Sequence, residues 1–163
     1  MTINKTNIRD QEWGERSHGE RFQCSRIGLT KPENNSGLGC AVFKVASGKR
    51  AFPRHAHLAN DEAIYVLAGF GMLSVGEQEL EMKEGDFVLI PRGVEYPHVM
   101  VNEGHENLVY LCFSTMNMPD VVDYPDSEKL GVLAEKFWLK GQGPGKVGGF
   151  YAKKAVGYWD GEE

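Results

Sequence analysis

Short apolar stretches alternate with turn residues from about residue 22 to residue 114. The stretches are rich in Val, Ile, Tyr and Phe, and Gly, Pro, Asn or charged pairs separate them. This pattern favours an antiparallel β-sandwich or barrel over any β-α-β architecture, because no helical pattern lies between the stretches. The predicted strands are 22–28, 39–46, 51–57, 62–68, 71–76, 79–83, 86–90, 96–102 and 107–114.

The remaining segment, 115–163, has a different pattern with few periodic apolar positions. Such a segment would hardly fold alone, so we predict one domain over 1–163, in which 22–114 is the barrel core. The residues before 22 are then an N-terminal arm. Segment 115–163 is a C-terminal arm packed on the barrel. Its predicted elements are a short helix, a glycine-rich loop and a strand, at 127–137, 141–145 and 147–153.

Charge and hydropathy restrict the partners of this chain of 163 residues. The formal net charge is -5, whereas binding to a nucleic-acid backbone demands a basic face. No apolar run reaches the roughly 18 residues needed to span a bilayer, and the first residues are polar, without a hydrophobic signal core. We therefore expect a cytoplasmic protein with neither nucleic-acid nor membrane partners.

Three histidines and one glutamate stand at positions that suit a metal. His55 and His57 are two residues apart, so on a strand both project from the same face. Glu62 opens the next predicted strand after a turn of four residues, and His98 lies on a further apolar strand. Three imidazoles and a carboxylate that converge from neighbouring strands make a site for one divalent first-row metal, namely Mn, Fe, Ni, Cu or Zn. Asp61 competes with Glu62 as the carboxylate but faces the other side if the strand begins there.

Two sequence motifs together cover about residues 48–114. The first is His55-x-His57-x4-Glu62-x6-Gly69, and the second is Gly85-x5-Pro91-x-Gly93 followed by His98-x3-Asn102. These motifs resemble those of the cupin superfamily. The resemblance implies a jelly-roll barrel that binds a metal inside through three histidines and a glutamate, here His55, His57, Glu62 and His98. Lys49 stands where the first motif usually begins with glycine.

The second motif usually places its histidine three residues after Gly93, where this chain has Tyr96. His98 comes two positions later, and a shift of two keeps the side chain on the same face of a strand. His98 therefore remains the expected ligand, and Tyr96 becomes a candidate pocket residue. Tyr96 and Glu62 are the predicted proton-transfer groups of a catalytic site. His18 and His105 fall in polar turns and are expected to lie outside the site.

Alternation along the strands that carry the expected metal ligands predicts which other side chains face the pocket. Ile64, Val66 and Met100 share the inward parity and predict a largely apolar cavity. No lysine or arginine shares that parity on these strands, which disfavours a sugar-phosphate isomerase because a phosphate needs fixed cations. The opposite face is apolar too, so it needs a cover. We expect either a second subunit, giving a homodimer, or the aromatic residues of the arm: Phe137, Trp138, Phe150 and Tyr151.

These observations leave three functional hypotheses. The first is a metal-dependent enzyme, either a dioxygenase-like oxidoreductase or an isomerase, acting on a small oxygen-bearing organic substrate chelated at the metal. The second is a non-catalytic module that binds or senses a small molecule through the metal. The third is a structural metal that only stabilises the barrel.

Overall fold

The structure is a computed structural model, and the regular secondary structure among its described residues is almost entirely β-strand. It describes residue 3 and residues 5–30, 37–134 and 148–162. The first strands are β1 Gly14–His18, β2 Phe22–Gly28, β3 Leu38–Val45, β4 Ala56–His57, β5 Glu62–Ala68, β6 Phe70–Val75 and β7 Gln78–Lys83. The later strands are β8 Phe87–Ile90, β9 His98–Val101, β10 Leu108–Thr115, β11 Asp120–Tyr124, β12 Lys129–Leu133 and β13 Gly149–Ala152. Two 3₁₀ turns span Ile8–Asp10 and Pro125–Ser127.

Six strands form one layer, in the order β1-β2-β3-β10-β5-β8, with every neighbouring pair antiparallel. The burial pattern of β5 shows why this layer has a definite inside. Ile64 and Val66 are buried, whereas Tyr65 between them is 37% exposed. Because side chains alternate along a strand, the inner face of this layer carries the aliphatic residues that the sequence places two apart.

Two smaller sheets form the opposing layer, in the orders β13-β12-β11-β4 and β7-β6-β9. An antiparallel bridge between His55 and His98 joins them, with the His55 N–H donating to the His98 carbonyl at 3.1 Å. The His98 N–H returns the bond to the His55 carbonyl at 2.8 Å. The backbone of the two histidines therefore connects the sheets of this layer.

The hydrophobic core fills the space between the two layers, which confirms the predicted all-β barrel. Leu73, Val66 and Leu108 are fully buried there. Phe43 packs edge-on against Phe52 at 5.1 Å between ring centroids and stacks on Tyr110 at 5.5 Å. These aromatic rings form the floor of the barrel beside the histidines.

The segment after residue 114 differs from the expectation. A helix at 127–137 is wrong, because Lys129–Leu133 is strand β12, paired with β11 on one side and β13 on the other. The described part of this segment also supplies β11, whose Val122 pairs with His57 of β4. It is thus part of the barrel wall. The glycine-rich loop 141–145, Phe137 and Trp138 lie outside the described residues.

The outer face of the six-stranded layer is apolar, and at its β8 edge it is exposed in the single chain. Phe87 and Leu89 of β8 are each 62% exposed. Phe150 and Tyr151 are themselves about half exposed, and Phe150 packs on Tyr124 in the opposite layer. These two arm aromatics therefore do not cover this face, and the homodimer stays a prediction.

In the part of the chain that the structure describes, no helix is long and apolar enough to cross a membrane.

Candidate metal centre

The predicted ligands converge inside the barrel. His55, Glu62 and His98 each offer one donor atom, and these atoms all lie within 4.8 Å of one another. The Nε2 atom of His98 lies 2.9 Å from Oε2 of Glu62. His57 approaches the same carboxylate from its other side, with Nε2 at 3.7 Å from Oε1. The three histidines thus surround the Glu62 carboxylate, with His57 outside the group of three whose donor atoms are mutually close.

The backbone explains why His55 and His98 face each other. They are partners in an antiparallel bridge, and such partners project their side chains to the same side of the sheet. Their ring centroids are 4.6 Å apart. Glu62 reaches them from the opposing layer, as the first residue of β5. The donor atoms are therefore held by both layers of the barrel.

Each histidine has its Nδ1 atom engaged outside the cluster. The His55 Nδ1–H donates to the Pro53 carbonyl at 2.9 Å, and the His98 Nδ1–H donates to the Tyr96 carbonyl at 3.1 Å. The His57 Nδ1–H donates to Oδ2 of Asp120 at 2.6 Å. In a neutral imidazole this leaves the Nε2 lone pair for the interior. Such outer hydrogen bonds fix the tautomer and orientation that a metal-binding histidine requires.

Asp120, the first residue of β11, is a buried carboxylate that orients His57. It is 1% exposed, and it also accepts the Ala59 N–H at 2.9 Å and the Asn60 side-chain amide at 2.8 Å. Burial alone would raise the pKa of Asp120, but the bonds from His57 and Asn60 outweigh it and lower the pKa. Asp120 is therefore ionised, and its charge supports His57.

The pKa values inside the cluster follow from burial and from neighbouring charges. Burial, and then the nearby His98, lower the pKa of His55 to about 4, so this ring is neutral at pH 7. For His57, burial acts downward, but the bond to Asp120 and the charge of Glu62 raise its pKa. For Glu62, burial acts upward, but the surrounding histidines lower its pKa. A carboxylate and a neutral imidazole are the protonation states that ligate metals.

The cluster opens into a cavity of about 700 Å³ inside the barrel, called here the central cavity. Its wall includes the four residues of the cluster, and also Ile64 and Met100, which the strand parity predicted to point inward. The cavity extends across the inner face of the six-stranded layer to Arg26 of β2 and Arg16 of β1. It is large enough for a small organic molecule.

Comparison with known proteins identifies the barrel. Residues 41–114 match the family model described as the cupin domain. Residues 41–114 are a cupin domain. The predicted resemblance is thereby confirmed for the part of the chain that contains all four residues of the cluster.

Solved cupin structures agree over a longer part of the chain. A sugar phosphate isomerase of the cupin superfamily from Silicibacter pomeroyi superposes with a TM-score of 0.74 at 20% identity, covering 91% of this chain and 92% of that chain. A candidate sugar phosphate isomerase from Acidithiobacillus ferrooxidans gives a TM-score of 0.70 at 27% identity, covering 78% of this chain and 82% of that chain. The shared architecture therefore includes strands outside the matched cupin domain.

A curated relative matches part of the chain. It is an uncharacterized protein of Methanocaldococcus jannaschii, 35% identical over 60 residues. The match spans 37% of this chain and 46% of that protein, so the chain covers less than half of the relative's length.

Tyr96 is not where the sequence parity predicted. Its side chain is 38% exposed and does not line the central cavity of the cupin barrel. The reason is that β9 begins only at His98, so Tyr96 lies in the preceding turn, where alternation along a strand does not apply. Tyr96 contributes its backbone carbonyl, which accepts the bond from His98.

Tyr124 is a tyrosine that lies in the cavity beside the cluster. Its ring stacks on His55 at 5.9 Å between centroids and lines the central cavity. Burial, with the charges of Asp120 and Glu62, raises the pKa of Tyr124 to about 12, so the phenol keeps its proton at neutral pH.

The sequence reasoning missed Asp120, which supports His57, and three groups that line the cavity, Tyr124, Arg16 and Arg26. A period-two signal was present for Asp120 and Tyr124, because Asp120, Val122 and Tyr124 alternate on one strand. That signal shows that these side chains share one face of the strand. It does not show how close Asp120 lies to His57, 63 positions earlier in the chain.

Proposed function

We propose that this protein is a metal-dependent enzyme whose substrate is a small oxygen-bearing organic molecule that chelates the metal. His55, His57, Glu62 and His98 hold one divalent first-row transition metal. The observation that carries the proposal is the set of donor atoms from His55, Glu62 and His98, all within 4.8 Å of one another at the wall of a cavity.

The donor set fits such a metal on its own chemistry. With Nδ1–H donating to the Tyr96 carbonyl, a neutral His98 points its Nε2 lone pair at a carboxylate oxygen only 2.9 Å away. Two lone pairs at this distance repel each other unless a proton or a metal cation lies between them. The outer bonds of all three histidines make their Nε2 atoms ready donors, and imidazole with carboxylate suits Mn, Fe, Ni, Cu and Zn.

The bound metal would act as a Lewis acid that polarises a chelated hydroxyl or carbonyl oxygen. Three neutral imidazoles and one carboxylate leave a net charge of about +1 at the site, which favours an anionic or enolizable oxygen ligand. Tyr124 and Glu62 are the residues placed to hold or move a proton next to that ligand. The Tyr124 phenol, whose ring stacks on His55, keeps its proton at neutral pH and would donate a hydrogen bond to that ligand, and Glu62 is the carboxylate at the centre of the cluster.

An isomerase-type reaction on a hydroxy-carbonyl compound is the activity that we infer. The support is twofold: the cavity wall carries the Tyr124 phenol and the cluster's own carboxylate, Glu62, and two solved relatives are described as sugar phosphate isomerases. Moving a proton between neighbouring carbons needs a polarised oxygen and a positioned acid or base. The same ligand set also allows a second reaction, the oxygen-dependent cleavage of the substrate by a dioxygenase-like enzyme.

Elemental analysis tests this function. Protein purified without a histidine tag or added metal should carry about one equivalent of a first-row transition metal, since the site binds in its deprotonated form at neutral pH. A panel of hydroxy acids, hydroxy ketones, diketones and catechols should then show isomerisation or oxygen uptake that a chelator abolishes. Protein that neither retains nor takes up metal would contradict the proposal.

Asp120→Asn should weaken metal binding by about 10- to 100-fold, the range usual for a group that orients a ligand. The amide removes the negative charge that holds the His57 Nδ1–H at 2.6 Å. Competition with a chromophoric chelator measures the affinity, and the melting temperature of the metal-free protein separates this effect from a folding defect. The exposed Asp126, which pairs with Arg54 on the surface, provides the control variant Asp126→Asn. Equal affinities of the two variants would contradict the role of Asp120.

A further inference from the structure

Two arginines line the central cavity on the side away from the histidines. Arg16 of β1 lies opposite Cys24 of β2, and Cys24 is two residues before Arg26. Residues two apart on a strand share a face, so Arg16 and Arg26 project to the same side of the layer. Cys24 on that face belongs to the hydrophobic core cluster, together with Phe43 and Val45 of β3, so the face is the inner one. Both arginines therefore belong to the cavity wall.

Among the residues that the structure describes, neither arginine has an anionic partner. Among the described residues, the ion pairs of arginine involve Arg54 and Arg92, and no carboxylate lies within 4.0 Å of Arg16 or Arg26. The guanidinium of Arg26 lies over the Phe43 ring, 5.8 Å from its centroid. Burial, and then the positive charge of Arg16, lower the pKa of Arg26. Two cations that face the same cavity without a counter-ion provide a site for an anion.

The nearby thiols do not supply that anion. Burial, with the charge of Glu62, raises the pKa of the Cys112 thiol well above its usual value. Burial likewise raises the pKa of Cys24. Both groups are neutral at physiological pH, so the positive charge of Arg26 remains available to a ligand.

Cys112 also shows how the arginines relate to the proposed metal ligands. Its sulfur lies 4.0 Å from Oε1 of Glu62, and the charges of both Glu62 and Arg26 act on it. On the sheet, β2 and β5 are three strand spacings apart, or about 14 Å at the usual spacing. The long side chain of Arg26 shortens this gap, so one small molecule with two functional ends can reach both groups.

We propose that Arg26 and Arg16 form an anion-binding subsite for the far end of the substrate. The substrate is then a small polyhydroxylated molecule with metal-chelating oxygens at one end and an oxyanion, phosphate or carboxylate, at the other. The chelating half of this description rests on the proposed function, whereas the anionic half rests on the two arginines. This subsite supplies the fixed cations that the ligand strands alone lack.

Three compounds with the same six-carbon chain test the subsite by calorimetry on the metal-loaded protein. Gluconate ends in a hydroxyl group, glucarate in a carboxylate and 6-phosphogluconate in a phosphate. Glucarate and 6-phosphogluconate each have an anionic group at both ends. The native protein should bind at least one of them roughly 10- to 100-fold more tightly than gluconate, as expected for charge-assisted hydrogen bonds. Whichever compound is preferred identifies the oxyanion.

Arg26→Gln should remove this preference and leave the affinity for gluconate unchanged, while Arg26→Lys should keep part of it. Arg16→Gln, at an exposed position on the edge strand, should reduce the preference without a risk to folding. The matched control is Arg21→Gln, since Arg21 is exposed and does not line the cavity. Equal binding of all three compounds by the native protein would overturn the subsite, and so would an unchanged preference in both the Arg26→Gln and Arg16→Gln variants.

A chelator separates this proposal from the proposed function. If removal of metal weakens all three compounds but Arg26→Gln changes nothing, the metal site stands and the subsite is wrong. If Arg26→Gln removes the preference but the chelator has no effect, the subsite stands and chelation at the metal is wrong.

Discussion

The double variant His55→Ala/His98→Ala is expected to lose nearly all bound metal and all metal-dependent activity. The two residues supply two of the three donor atoms that lie within 4.8 Å of one another. What remains, His57 and Glu62, is a two-donor set. If a complete four-ligand site binds with about 10–16 kcal/mol, loss of half the donors should weaken binding by at least about 1,000-fold. Elemental analysis and a metal competition titration measure this loss.

The control for this variant is His18→Ala/His105→Ala, which removes the two exposed histidines outside the cluster. The bridge between His55 and His98 is made by main-chain groups, so alanine at both positions leaves it intact. Circular dichroism should therefore show a folded barrel for both double variants. Native metal content in His55→Ala/His98→Ala protein would refute the site.

Leu108→Ala is expected to destabilise the protein by about 2–5 kcal/mol, because it removes buried methyl groups and leaves a cavity. Leu108 is fully buried on β10, the strand that pairs with both β3 and β5 at the centre of the larger layer. Urea denaturation followed by tryptophan fluorescence measures the free energy of unfolding. The matched control is Leu89→Ala on β8, where the leucine is 62% exposed.

Leu89→Ala should change the free energy of unfolding by less than about 0.5 kcal/mol, as for most surface positions. A similar loss in both variants would mean that the outer face of β8 is buried in solution, as in the predicted homodimer. A small loss in both would contradict the position of the core.

The barrel strands were predictable because each carries its own alternation. Strands 22–28 and 62–68 agree with the structure at both ends, and in 62–68 the buried positions, Ile64 and Val66, are two apart. Edge strand β1 was missed because every residue from Gly14 to His18 is exposed, which leaves no apolar signal. Strand β12 was mistaken for a helix because its identity depends on pairing with β11 and β13, and a local pattern does not contain its partners.

The same distinction applies to the cluster. His55, His57, Glu62 and His98 were predictable because strand parity and spacing are local properties. The side chain of Tyr96 was predicted to face the pocket because the alternation of strand β9 was extended into the turn before it. Asp120, Arg16 and Arg26 are brought into position by strand pairings and packing between distant parts of the chain, which periodicity cannot reveal.

The dependence of His57 on Asp120 has a consequence for the order of synthesis. A nascent chain that has reached residue 114 already contains all four donors, but not the carboxylate that orients His57 or the ring that stacks on His55. The ribosome must add β11 before either group exists, and β11 is also the strand that pairs with β4. The oriented form of the proposed metal site would therefore be complete only after residue 124 has been synthesised.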